Sequence, residues 1–155
     1  MQAFNGELIA IYITPARLGA MQRVESAIAE AGSGLVGDRY YRPGGSTLSK
    51  VPGEITLIEA EAIQDVVDDY ELTFDASQSR RNLVTRGVPL NHLVRREFQV
   101  GEVRLVGIEL CEPCAHLEKL SVRGIKKALI HRGGLRTRIV TGGVLREGDR
   151  IELAK

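Results

Sequence analysis

The 155-residue chain has no tryptophan, three phenylalanines and only two cysteines. Two thiols are too few for a disulfide scaffold of the secreted kind, so the expected state is a pair of free cysteines in the cytoplasm. No basic run followed by an apolar stretch opens the sequence, so no signal peptide is expected. No segment approaches the roughly 20 apolar residues of a membrane-spanning helix, which argues against a membrane role. The charges nearly cancel, 21 cations against 20 anions. A balance of +1 lacks the basic excess of a nucleic-acid binder. The glycine-rich nucleotide fingerprints GxGxxG and Walker A are both missing.

What is present is an apolar fraction of 43%, enough for a core of its own, so one domain over residues 1–155 is expected. The cations are of one kind, with 16 arginines among the 21. The planar guanidinium fork grips phosphate or carboxylate at two points, as lysine cannot. Seventeen glycines punctuate the chain at intervals that suit strands joined by turns.

Glu7 to Thr14 alternates and is β-branched, which predicts a strand ended by Pro15. Met21, Val24, Ala27, Ile28 and Ala31 have helical spacing, and Leu35 to Gly45 reads as a loop. Glu54 to Ile58 predicts a strand, and Glu59 to Tyr70 a helix with Ile63, Val66, Val67 and Tyr70 on one face. Asn82 to Thr85 predicts a short strand. Phe98 to Leu110 predicts two strands around Gly101. Ile125 to Arg132 predicts a helix with Gly133 as its C-cap and His131 and Arg132 in its last turn. Leu135 to Val140 and Arg150 to Leu153 predict the final strands, with Gly142-Gly143 and Gly148-Asp149 as turns. Many short strands with a few helices, lacking regular β-α alternation, indicate a mainly β barrel or an α+β domain.

Four stretches could carry chemistry. Cys111 to His116 (CEPCAH) follows a strand, and a thiolate is both nucleophile and soft metal ligand. Pro113 would fix the backbone before Cys114. Inert cysteines, a redox pair, or a zinc site using Cys111, Cys114, His116 and His131 are competing readings. Ser79 to Gly87 holds Arg80, Arg81 and Arg86 around Asn82. As a strand it would turn Arg80 and Asn82 to one face and Arg81 to the other, an anion clamp beside an amide, and a solvated loop is the alternative. His131 to Arg136 places glycines beside cations, where backbone can approach a ligand. Asp38 in Gly37-Asp38-Arg39 could brace an arginine or seed a turn. His116 and His131 are the acid-base candidates. His92 reads as a solvated loop residue.

In order, Gly37-Asp38-Arg39, Ile55 to Glu59, Ser79 to Val88, Cys111 to Cys114, His131 to Leu135 and Gly148-Asp149 resemble the molybdenum cofactor sulfurase C-terminal, or MOSC, domain family, over about Glu7 to Leu153. The resemblance implies a β-barrel related to the one inserted in pyruvate kinase, with a few short helices, and a strand where Met21 to Ala31 has helical spacing. It implies that Cys114 is the family's shared cysteine. That residue ligates molybdenum in reductases and is proposed to carry persulfide sulfur in members linked to pyridoxal-phosphate-dependent sulfurases. It places Arg81 and Asn82 beside the pterin, and Arg80, Arg81, Arg86 and Arg132 near the cofactor phosphate, with Asp38 and Arg39 in the same binding region. Two functions follow from it. One is molybdenum-dependent reduction of N-hydroxylated or related small molecules, with an electron-transfer partner. The other is sulfur carriage on Cys114 from a cysteine desulfurase. No lysine reads as a pyridoxal-phosphate anchor. No part of the chain reads as a sulfurase domain or as the additional N-terminal barrel of longer reductases.

Overall fold

A computed structural model describes residues 1–44 and 53–155. Its strands are β1 (Gly6–Ile13), β2 (Gln22–Val24), β3 (Ser26–Glu30), β4 (Gly34–Leu35), β5 (Ile55–Glu59), β6 (Leu83–Arg86), β7 (Glu97–Val100), β8 (Val103–Leu110), β9 (Leu135–Thr141), β10 (Gly143–Arg146) and β11 (Arg150–Leu153). The helices are α1 (Ala60–Tyr70), α2 (Ala115–Leu120) and α3 (Ile125–Ala128). Seven strands run in the order β11-β7-β8-β9-β5-β6-β1, and pairing of β1 with β11 closes them into a barrel. Closure removes the exposed edges that an open sheet would have to protect. β2 extends β1 outward, and β10, β3 and β4 form a small second sheet. All barrel pairings are antiparallel except β5 with β6. That parallel pair needs a long crossover, which contains α1.

The strand period of two sorts side chains between two cores. Leu57 and Leu83 point into the barrel with Leu8, Phe98, Leu105 and Leu135. Their neighbours Ile58 and Val84 point outward, where Val66 of α1, Leu117 of α2, and Ile125 and Leu129 pack over them. The helices therefore lie on the outer face of β5 and β6. Each fully buried leucine contributes about 1.5–3 kcal/mol from the area it removes from water.

The strands expected at Glu7, Glu54, Phe98, Leu135 and Arg150, and the helix at Glu59, all form within a residue or two. The helical spacing of Met21 to Ala31 does not make a helix. β2 and β3 form there, as the family resemblance implied, and the burial of β3 shows why. Ala27 and Ala29 are buried while Ser26, Ile28 and Glu30 face solvent, a period of two. The helix expected to Arg132 stops at Ala128, with Leu129 as its cap, so His131 and Arg132 lie beyond it. Gly133 does not have the left-handed backbone of a C-cap. His131 (φ 62°) and Gly134 (φ 115°) do. Gly142-Gly143 is not a simple turn, since Gly143 opens β10 against Ala29. Gly148-Asp149 does turn the chain, closed by Asp149 N–H donating to the Arg146 carbonyl at 3.0 Å. The loop expected from Leu35 to Gly45 is observed from Val36 on, since Leu35 is the last residue of β4, and Gly45 lies outside the described residues. Among the described residues no helix is long and apolar enough to cross a membrane.

Candidate functional site

The segment leaving β8 carries the two thiols. Cys111 N–H donates to the Gly134 carbonyl at 2.7 Å, pinning that segment to the start of β9. Cys111 and Pro113 are buried, whereas Cys114, the residue preceding α2, is exposed. Beside Cys114 lies a cleft of about 130 Å³ lined by Arg17, Arg39, Tyr40, Thr56, Arg80, Arg81, Cys111, Glu112, Cys114, His116, Leu117 and Arg136. Five of these carry guanidinium groups and one a carboxylate, so the cleft is a cationic site with a thiol on its wall.

Backbone carbonyls orient the inner arginines. Arg81 donates from Nε to Gly133 O at 2.7 Å and from Nη2 to Cys111 O at 3.1 Å. Gly133 is needed at this crossing, because a Cβ there would overlap the Cys111 carbonyl oxygen and crowd Pro113. Burial draws the pKa of Arg81 below the usual arginine value, and Arg136 and Arg39 push the same way, against the pull of the two thiols. Arg80, at φ 60°, donates to Gly19 O at 2.8 Å and Arg17 O at 2.9 Å. Its pKa is lowered too, first by burial and then by the neighbouring Arg39. Arg39 is held by Asp38 at 3.2 Å and by the Arg80 carbonyl at 3.1 Å, and its guanidinium lies 4.5 Å from the centre of the Tyr40 ring. Asp38 is buried and also accepts from Thr14 N–H at 3.2 Å. Its part is to brace Arg39 from behind.

Of the residues singled out in the sequence, Cys111, Cys114, His116, Arg39, Arg80 and Arg81 meet at the cleft, with Asp38 behind Arg39. Four others do not. Asn82 is buried and precedes β6, so strand alternation does not apply to it or to Arg80 and Arg81. Its amide accepts from Thr56 N–H at 3.1 Å and donates to Tyr12 O at 3.1 Å, stitching β5 to β1. Arg86 ends β6 on another recess, with Asn5, Glu7 and Arg150. Arg132 turns toward Asp65 and Glu59 on the helix side. His131 is exposed and pairs with Glu112 at 3.0 Å. Among the described residues no three His, Cys, Asp or Glu groups converge as metal ligands. The zinc set of Cys111, Cys114, His116 and His131 is therefore not assembled.

The sequence reading gave no role of their own to Arg17, Tyr40, Thr56, Glu112 and Arg136, although Glu112 and Arg136 lie within two of the stretches it singled out. Only Arg136 left a usable signal: it shares the outer face of β9 with Arg138, while Leu135, Thr137 and Ile139 turn to the buried side.

The model of the MOSC domain matches residues 53–152. No curated protein sequence matches the chain. The fold is similar to the crystal structure of the YuaD protein from Bacillus subtilis, at TM-score 0.81 and 13% identity over 99% of both chains. It is similar to YiiM from Geobacillus stearothermophilus, at TM-score 0.69 and 14% identity over 97% of this chain and 75% of that one. It also resembles YiiM from Escherichia coli, at TM-score 0.68 and 14% identity over 100% and 71%. At such identities these structures speak for the fold, and the domain match speaks for descent. The chain belongs to the MOSC domain family.

Proposed function

We propose that this protein binds the molybdenum cofactor, with Cys114 as the thiolate ligand to the metal and the arginine cleft as the seat of the cofactor's phosphate. The observation that carries this reading is the exposed Cys114 thiol on the wall of a cleft lined by five arginines. The donor set suits the group. Each guanidinium offers five N–H donors, and charge-assisted pairs with phosphate oxygens are about twice as strong as neutral ones. About 130 Å³ is small beside the ~300–1,000 Å³ of ordinary ligand pockets, so the cleft suits the anionic end of the cofactor and not the whole of it.

The cofactor supplies oxygen-atom transfer chemistry when bound, here directed at an N-hydroxylated or related small molecule. The chain's own residues bind and orient. Arg81, fixed by two carbonyls, and Arg39, fixed by Asp38 and the Arg80 carbonyl, offer their remaining N–H groups to the anion without reorganising. His116, exposed on the same wall, is the side chain placed to pass a proton to or from the bound substrate. An external electron donor would be the partner. The test is to purify the protein from a host that makes the cofactor and measure molybdenum and pterin. Near-stoichiometric molybdenum, lost in Cys114→Ser, is the expected result. Equal metal in wild type and Cys114→Ser would sink the ligand assignment.

The exposure of Cys114 also favours a second reading, sulfur carriage. A desulfurase persulfide would pass its terminal sulfur to the Cys114 thiolate, leaving a cysteine thiolate on the donor and a persulfide on Cys114. Mass spectrometry after mixing with a desulfurase would show one added sulfur atom on Cys114. No added mass in protein whose Cys114 alkylates freely would exclude this reading.

A further inference from the structure

The arginines of the cleft differ in what their guanidinium groups are already doing. Arg81 holds two carbonyls, Arg80 holds two, and Arg39 holds Asp38 and the Arg80 carbonyl. Arg136 has Glu109 at 3.5 Å. Arg17 differs from these: among the described residues its guanidinium has no hydrogen bond or ion pair, yet it lines the cleft.

The backbone beneath Arg17 is nonetheless fixed. Gly19 N–H donates to Ala16 O at 2.9 Å, and Thr14 Oγ1 donates to Ala16 O at 3.3 Å. Arg80, more than 60 residues away in sequence, clamps the same turn through the carbonyls of Gly19 and Arg17. A bound turn that presents an unoccupied two-pronged donor is the arrangement that captures a planar or tetrahedral oxyanion at two points, because little backbone entropy is left to lose on binding.

We infer that Arg17 is the residue that grips the oxyanion group of the ligand in the cleft, and that Arg80 acts as a positioning residue by holding the turn that carries Arg17. This rests on the anion-binding reading above and deepens it, naming a binding residue outside every stretch that the sequence singled out. The ligand group is a phosphate, whether on a cofactor or free, and inorganic phosphate serves as the probe.

The experiment is a phosphate titration at constant ionic strength, with chloride as the reference anion, followed by calorimetry or amide chemical shifts. Four proteins are compared: wild type, Arg17→Ala, Arg80→Lys, and Arg23→Ala. Arg23 is a control of equal charge change, paired with Glu147 at 2.7 Å and absent from the cleft lining. The expected result is phosphate binding by wild type, about tenfold weaker in Arg17→Ala, the factor carried by about 1.4 kcal/mol, and unchanged in Arg23→Ala. Arg80→Lys keeps its charge but cannot span two carbonyls, so it should weaken binding as well. The double variant Arg17→Ala with Arg80→Lys should lose little beyond Arg17→Ala alone, since both substitutions remove one grip.

Wild-type affinity in Arg17→Ala, with phosphate still bound, overturns this inference and leaves the anion cleft standing. An equal loss in Arg23→Ala does the same, because the effect is then a general field. Wild-type affinity in Arg80→Lys overturns the positioning role alone. No phosphate binding by wild type beyond that of chloride overturns the anion-cleft reading and this inference together.

Discussion

The Arg81 guanidinium donates to the Cys111 carbonyl at 3.1 Å. With its second bond, to Gly133 O at 2.7 Å, it joins three chain segments behind Cys114. Arg81→Met keeps the stem and removes both donors, leaving two carbonyls short of partners at about 1–3 kcal/mol each. The expected loss of stability is about 2–6 kcal/mol by urea unfolding. A loss within about 0.5 kcal/mol, the range of ordinary surface substitutions, would mean that Arg81 does not hold this junction.

Asp38 and Arg39 form an ion pair whose side chains are only 1% and 7% exposed. Removing one charge from such a pair leaves the other desolvated and uncompensated, at about 3–5 kcal/mol. Asp38→Ala should therefore be severe, and it also orphans the Thr14 N–H that Asp38 accepts. Adding Arg39→Met to Asp38→Ala should restore part of the stability, because the stranded charge is then gone. A double variant less stable than Asp38→Ala would show that Arg39 contributes without its partner.

Much of the barrel was legible because local pattern and global fold agree. β1 and β8 alternate under one buried face, and α1 carries its apolar stripe at helical spacing. The failures have physical causes. Around Ala27 an apolar spacing of three and four residues coincides with a strand, and only pairing across to β10 decides between them. At Gly133 the sequence offered a helix stop, but the residue answers to the Cys111 carbonyl, a neighbour far from it along the chain. The site was legible at Cys114 and Arg81 through a family pattern. Asn82 and Arg86 share that run but serve other neighbours. Arg17 stood outside every motif, for it reaches the cleft only because Arg80 folds its turn inward.

Glu59 links stability to pH. Burial raises its carboxyl above the usual value of 4.5, with Arg132 opposing and Glu61 and Asp65 adding to the rise. The folded protein thus holds this proton to higher pH than the unfolded chain does. As pH climbs past 4.5 the unfolded state releases its proton first, so the contribution of Glu59 to stability is full at low pH and falls as pH rises through its folded value. Glu59→Gln cannot ionise. Urea midpoints measured between about pH 4 and 7 should show wild type losing ground to Glu59→Gln as pH increases. Parallel curves would remove Glu59 from the account.

The two thiols should behave as different residues. Cys114 is exposed and Cys111 is 2% exposed, so iodoacetamide should modify Cys114 in the folded protein. Cys111 should react only after opening, at a rate that tracks global unfolding. Stability should divide the same way. Cys114→Ser changes a solvated side chain and should fall within about 0.5 kcal/mol of wild type. Cys111→Ser places a hydroxyl in a buried site and should cost about 1–3 kcal/mol. Peptide mapping after timed alkylation, with and without urea, reads both predictions in one experiment. Labelling of Cys111 in native buffer as fast as Cys114 would mean that the segment leaving β8 opens freely. The Arg81 clamp on the Cys111 carbonyl would then not fix the place from which Cys114 acts.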